Sequence, residues 1–116
     1  LQDKLVMKEY LSAQLYFKLG DYFLNCTHGG SNYEACIVTA QNALKTYPYT
    51  DKREDFALLI MKSKFELAEQ SVEEKKLERY RDAEDECYGF LNEFPDSKER
   101  GTAEKYIAKC KKITKN

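Results

Sequence analysis

Two stretches of the chain carry the same residue classes at the same spacing. Tyr33, Cys36, Ala40, Ala43 and Pro48 are matched by Tyr80, Ala83, Cys87, Phe90 and Pro95, with steps of 3, 4, 3 and 5 in both. Steps of three and four return a side chain to one stripe of an α-helix, and proline ends the helix because it has no amide hydrogen to donate. Each stretch therefore predicts an amphipathic helix with a fixed stop. The endings agree further, since Leu44, Tyr47, Pro48 and Thr50 correspond to Leu91, Phe94, Pro95 and Ser97. Self-similarity at a fixed period is the mark of stacked repeats.

The segments ahead of these two are also related. Set against each other, residues 12–20 and 60–68 bring Phe17 onto Phe65 and Leu19 onto Leu67, and a small residue, Gly20 or Ala68, closes each. Each unit then reads as a hairpin, a helix A followed by a helix B. The chain is expected to be all-α: a right-handed helical-hairpin solenoid with repeat one over about 3–48, repeat two over about 51–95 and a capping helix over about 98–114. Helices are predicted at 3–24, 31–47, 52–70, 75–94 and 98–114. Ser31 with Glu34, and Asp96 with Glu99, have the spacing in which a cap and the third residue satisfy each other's free backbone amides. Ala103, Tyr106, Ile107, Cys110 and Ile113 form the stripe of the last helix, which would cover the open end of the second hairpin.

At 116 residues the chain fits one domain. A hydrophobic share of 42% with 34% charged residues excludes disorder. Two Pro and five Gly favour long helices over strands and tight turns. No apolar stretch approaches the roughly 20 residues needed to cross a bilayer. The chain opens on Leu1, already in helical register, which suggests a piece of something longer. Residues 51–100 carry ten Lys or Arg against fifteen Asp or Glu, and 101–116 carry five Lys against one Glu. The basic tail reads first as a solvated last turn complementing the helix dipole, with nucleic acid or anionic lipid as the lesser alternative.

Catalytic chemistry has little to stand on. The one histidine, His28, sits beside Gly29-Gly30, expected to form a loop whose glycines permit positive φ, and a Cys26–His28 nucleophile pair would lack an orienting third group. Cys26, His28 and Cys36 are an irregular metal set, and the glycine pair lacks the Lys and Ser/Thr of a phosphate loop. Cys36, Cys87 and Cys110 fall on buried stripes and read as small core thiols. No metal, cofactor or nucleic acid is expected. The mixed charges at Glu73–Lys76 and Arg79–Glu86 read as a solvated face, with an acidic docking surface as the sharper alternative.

Leu15-Tyr-Phe-Lys-Leu-Gly-Asp-Tyr22, then Tyr33-Glu-Ala35 through Pro48, resembles the tetratricopeptide repeat, and the second unit repeats the helix B half. The match spans about residues 10–97. Pro48 and Pro95 lie 47 apart, whereas the plain repeat has about 34 residues. The excess falls at 23–32 and 70–79, to be absorbed by longer A helices or by loops. The closings Tyr47-Pro-Tyr-Thr50 and Phe94-Pro-Asp-Ser97, the elongated units and the helical cap together resemble the carboxy-terminal half of the BamD (YfiO/ComL) family of outer-membrane assembly lipoproteins. That resemblance implies a non-enzymatic scaffold on the periplasmic side of the outer membrane. It implies a lipid on an upstream cysteine as the only membrane tie, and docking onto the periplasmic domains of the barrel subunit BamA and onto other lipoproteins of the assembly complex. The alternative is a cytoplasmic tetratricopeptide adaptor that captures short peptide segments.

In a repeat of this class the A helices line the concave side, so their unpacked residues face a partner. By register these are Tyr10, Gln14 and Lys18 in the first unit and Asp55, Leu58, Lys62 and Glu66 in the second. Tyr10 and Leu58 would give apolar contact and the charges would set orientation; packing between repeats is an equal alternative for the two apolar residues. The register itself is testable. Ala83→Arg, which places a charge on the stripe where helices meet, is expected to unfold the module; unchanged thermal stability would show the register to be wrong.

Overall fold

The computed structural model describes residues 2–22, 27–70 and 73–114, with side-chain surroundings for 4–19, 32–70 and 74–114. Within these residues there are five helices and no strand: α1 (Gln2–Tyr22), α2 (Thr27–Thr46), α3 (Arg53–Gln70), α4 (Glu73–Glu93) and α5 (Arg100–Thr114). Each helix packs on its neighbours in the chain, and α1 also touches α3. The molecule measures 48 × 33 × 20 Å, and its shortest dimension is about two helix diameters.

The two proline turns have the same hydrogen bonds, displaced by 47 residues. The last helical bonds are Tyr47 N–H to Ala43 C=O and Phe94 N–H to Phe90 C=O, both 2.8 Å. Proline then interrupts the ladder and disfavours helical backbone in the residue before it. Thr50 N–H donates to Tyr47 C=O (3.2 Å) and Ser97 N–H to Phe94 C=O (3.1 Å), which turns the chain back. The hydroxyl of Thr50 accepts from Lys52 N–H (3.2 Å), and that of Ser97 accepts from Glu99 N–H (3.0 Å). Each thus satisfies an amide that a new helix leaves open. Arg53 donates through Nη1 to Pro48 C=O at 2.9 Å, and Arg100 to Pro95 C=O at 3.4 Å.

Within each pair of helices the aromatic contact also recurs. Phe17 meets Tyr33 edge to face at 5.6 Å, and Phe65 meets Tyr80 at 5.9 Å. All eight apolar members of the two matched stripes, from Tyr33 to Ala43 and from Tyr80 to Phe90, are buried. The small ones among them, Cys36, Ala40, Ala43, Ala83 and Cys87, let the following helix approach: the Ser63 hydroxyl of α3 donates to Cys36 Sγ of α2 at 3.1 Å, in full burial. Phe65 is the hub of the second half, stacked on Tyr106 of α5 with centroids 4.2 Å apart while touching Tyr80 of α4. Lys64 of α3 reaches Glu86 at 2.8 Å and Asp82 at 3.4 Å on α4.

α5 repeats the start of α3, with Arg100, Ala103, Ile107 and Cys110 at the positions of Arg53, Phe56, Ile60 and Ser63. Its other face differs. Ala57, Leu58, Met61 and Phe65 of α3 lie in the clusters shared with α4. Forty-seven residues on stand Glu104, Lys105, Ala108 and Lys112, all exposed. Nothing on that face asks to be buried.

Several sequence expectations need correction. α2 begins at Thr27, not at 31, so Gly29 and Gly30 are helical, no described glycine has positive φ, and Ser31 is not a cap. Two helical glycines cost about 1 kcal/mol each relative to alanine, but extending an existing, packed helix adds a backbone bond per residue without a new nucleation step. Of the added segments, residues 27–32 and 73–79 form the first turns of α2 and α4, which have 20 and 21 residues, while the A helices α1 and α3 are themselves long at 21 and 18; residues 23–26 and 71–72 lie outside the described residues. At α5 the amide is capped by Ser97 instead of Asp96, and Glu99 accepts from the Thr102 hydroxyl. Ile113, the last of the predicted stripe, is exposed. Cys26 lies outside the described residues, as does the side chain of His28.

If Phe65 is the hub described, Phe65→Ala removes a side chain that is 2% exposed and lowers unfolding stability by about 3–5 kcal/mol. A shift of the urea midpoint corresponding to less than 1 kcal/mol would contradict the packing.

Candidate protein-binding face

The residues expected to meet a partner divide by chemistry. Tyr10 and Leu58, 48 residues apart like Phe17 and Phe65, are both half-buried in packing between helices. The Tyr10 ring stands edge-on to Phe56 of α3 at 5.7 Å and 83°, with Lys52 Nζ 5.0 Å from its centroid. Leu58 packs on the cluster of Met61, Cys87, Phe90 and Ala103. Packing between successive helices therefore accounts for both. Burial, followed by the negative charge of Asp55, raises the Tyr10 hydroxyl above its usual pKa.

The polar members stay at the surface. Lys18 is exposed, and Gln14, Asp55, Lys62 and Glu66 are partly exposed. Gln14 and Lys62 occupy matching places in α1 and α3, as do Lys18 and Glu66. Because α1 and α3 touch, these side chains present a row of mixed charge across two adjacent helices. Such a row can orient a polar or oppositely charged segment; it offers no enclosed site for a small molecule.

The three described thiols are buried and their pKa values are raised. Cys36, Cys87 and Cys110 are free and fully buried. Burial pushes Cys87 up to about 12, helped by Cys110, Glu86 and Glu84, and Cys110 to about 11, helped by Glu84 and Glu69. Burial also raises Cys36, although the hydrogen bond from Ser63 works the other way. Thiolate is the reactive form, and these groups hold their protons. Among the described residues no three His, Cys, Asp or Glu side chains are gathered as metal ligands. No described helix is long and apolar enough to cross a membrane.

The sequence reading passed over one feature. Met7, Leu11 and Leu15 are 40%, 53% and 56% exposed on the side of α1 opposite its packed residues Val6, Ala13 and Phe17. Their spacing of four is visible in the sequence, beside the packed residues Val6, Ala13 and Phe17. With Lys4, Lys8 and Ser12 they line a shallow groove.

The basic tail is partly engaged: Lys109 Nζ lies 5.7 Å from the Phe65 ring and Lys111 Nζ 5.6 Å from that of Tyr88. Compared with models of known protein families the chain matches none, and no curated protein matches it either.

The raised groups make a pH prediction. Cys87 and Cys110 rise from 9.0 to about 12 and 11, and Tyr106 from 10.0 to about 12, with burial the first cause in each. An unfolded chain releases these protons at lower pH than the folded one. Their contribution is therefore complete below pH 9 and is lost progressively as pH climbs toward 12, with a slope of at most about 1.4 kcal/mol per pH unit per group. Denaturant midpoints measured from pH 8 to 11 should fall, and Cys87→Ala with Cys110→Ala should flatten the fall above pH 9; an unaltered slope would contradict the burial of the thiols.

Proposed function

We propose that the chain is a tetratricopeptide-like helical repeat module that binds another protein across α1 and α3. The observation that carries this reading is the recurrence of the proline turn with the same hydrogen bonds 47 residues apart. Identical turns set successive hairpins in the same relative placement, which is how a repeat builds a continuous face from residues far apart in sequence. The partner meets the mixed-charge row of Gln14, Lys18, Asp55, Lys62 and Glu66. Tyr10 and Leu58 serve beneath it by fixing the spacing of α1, α3 and α5.

The narrower reading is a lipoprotein subunit of the outer-membrane β-barrel assembly machinery, on the periplasmic side, docked on the periplasmic domains of BamA. Its support is the resemblance of the aromatic-Pro-x-Ser/Thr closings, elongated units and final helix. A gene whose product carries an upstream signal peptide ending in a lipidated cysteine supports that reading. One lacking it leaves a peptide-binding adaptor as the alternative.

Lys18→Glu combined with Lys62→Glu, at two sites that carry no core packing, should leave the helical circular dichroism and thermal midpoint unchanged. Affinity for the purified BamA periplasmic domains should fall at least about tenfold, the size of effect expected from reversing charges in an oriented contact. Wild-type affinity in the double variant would remove the α1–α3 face from the proposal; no binding by the wild-type chain would remove BamA.

A further inference from the structure

The layer that holds α1 and α3 continues into α5. Helix α2 packs on α1 and α3, and α4 packs on α3 and α5. In addition α1 touches α3, and Phe65 of α3 stacks on Tyr106 of α5. The helices α1, α3 and α5 therefore lie side by side. Lys109 of α5 stands 47 residues after Lys62 of α3, the interval that separates Pro95 from Pro48. It is exposed, and its Nζ lies 5.7 Å from the Phe65 ring, so the side chain leans toward α3. Each helix of the layer thus brings one lysine to this side: Lys18, Lys62 and Lys109. The ion pairs of the described residues engage Arg53, Lys64 and Arg100, and none of these three lysines. A row of cations without counter-charges attracts an anion.

We infer that this row takes an extended acidic segment of another protein, with a carboxylate at every third residue, and that Lys109 binds it together with Lys18 and Lys62. Spacing selects the segment. Packed helices lie about 8–10 Å apart. A polyproline-II chain returns a side chain to the same side every three residues, about 9 Å along its axis, so successive carboxylates reach successive helices. A β-strand returns one every two residues, roughly 6.6 Å along, and falls out of step. Gln14, at the place in α1 that Lys62 holds in α3, supplies an amide donor for a backbone carbonyl of such a chain. A nucleic-acid strand fits worse. Its phosphates follow one another about every 3.4 Å, and Asp55 and Glu66, partly exposed on the same side, would repel them.

The inference rests on the reading of α1 and α3 given above, and Lys109 separates the two. The probes are two short fluorescein-labelled peptides of proline, alanine and glutamate in the same proportions, one with glutamate at every third residue and the other with its glutamates adjacent. At low salt, fluorescence anisotropy should show the spaced peptide binding the chain at least about fivefold more tightly than the clustered one. Lys109→Glu should weaken the spaced peptide at least about fivefold. Lys109→Gln, which keeps an aliphatic stem beside Phe65, should weaken it about twofold or more, with the thermal midpoint within about 3 °C of wild type. Lys98→Glu, at an exposed site in the turn before α5, should change nothing. Equal affinity for the two peptides, binding to neither, an equal loss with Lys98→Glu, or tighter binding to single-stranded oligothymidylate would each overturn the inference. If both Lys109 variants bind normally while Lys18→Glu with Lys62→Glu does not, the inference falls and the α1–α3 face stands; if all bind normally, both fall.

Discussion

Pro48 and Pro95 each stop a helix at a place where the chain must find new partners for several backbone groups. The solution is the same at both. An aromatic residue keeps the last helical bond, Thr50 or Ser97 caps the next helix, and Arg53 or Arg100 reaches back to the proline carbonyl. Everything larger depends on that turn, because it sets the angle at which helix B hands over to the next helix A. Had the two turns differed, Cys36 would not face Ser63 while Ala83 and Cys87 face α5.

The arginines show how a common turn is adjusted to its place. Arg53 also forms an ion pair with Glu93 at the far end of α4, tying the first turn to the second hairpin. Arg100 pairs with Glu104, one turn along its own helix, at 2.9 Å. Both are exposed pairs of small energetic worth.

Much of this was legible because helical burial has a simple period. Tyr33, Cys36, Ala40 and Ala43, and their counterparts in α4, announce the buried stripe, and Phe17 and Phe65 announce the ring contact. The start of α2 was not legible, since Gly29-Gly30 argues for a turn whereas the helix runs from Thr27. The placement of Tyr10 and Leu58 was equally hidden, because register identifies a position on a helix but not which neighbouring helix arrives there. Met7, Leu11 and Leu15 were readable as a second stripe.

Function follows from geometry in a limited but definite way. The buried thiols hold their protons, and the described polar residues of α1 and α3 form a surface instead of a pocket. In the role proposed above, side chains from two helices meet a partner at a fixed spacing, and that spacing is only as reliable as the turns. The most direct test is therefore to exchange the turns, putting Phe94-Pro-Asp-Ser97 in place of Tyr47-Pro-Tyr-Thr50 and the reverse in one protein. If the two are the same structural part, the protein keeps its helical content and a single cooperative melt, with a midpoint within about 4 °C of the original, equivalent to roughly 1 kcal/mol or less. Loss of cooperative unfolding would contradict the account.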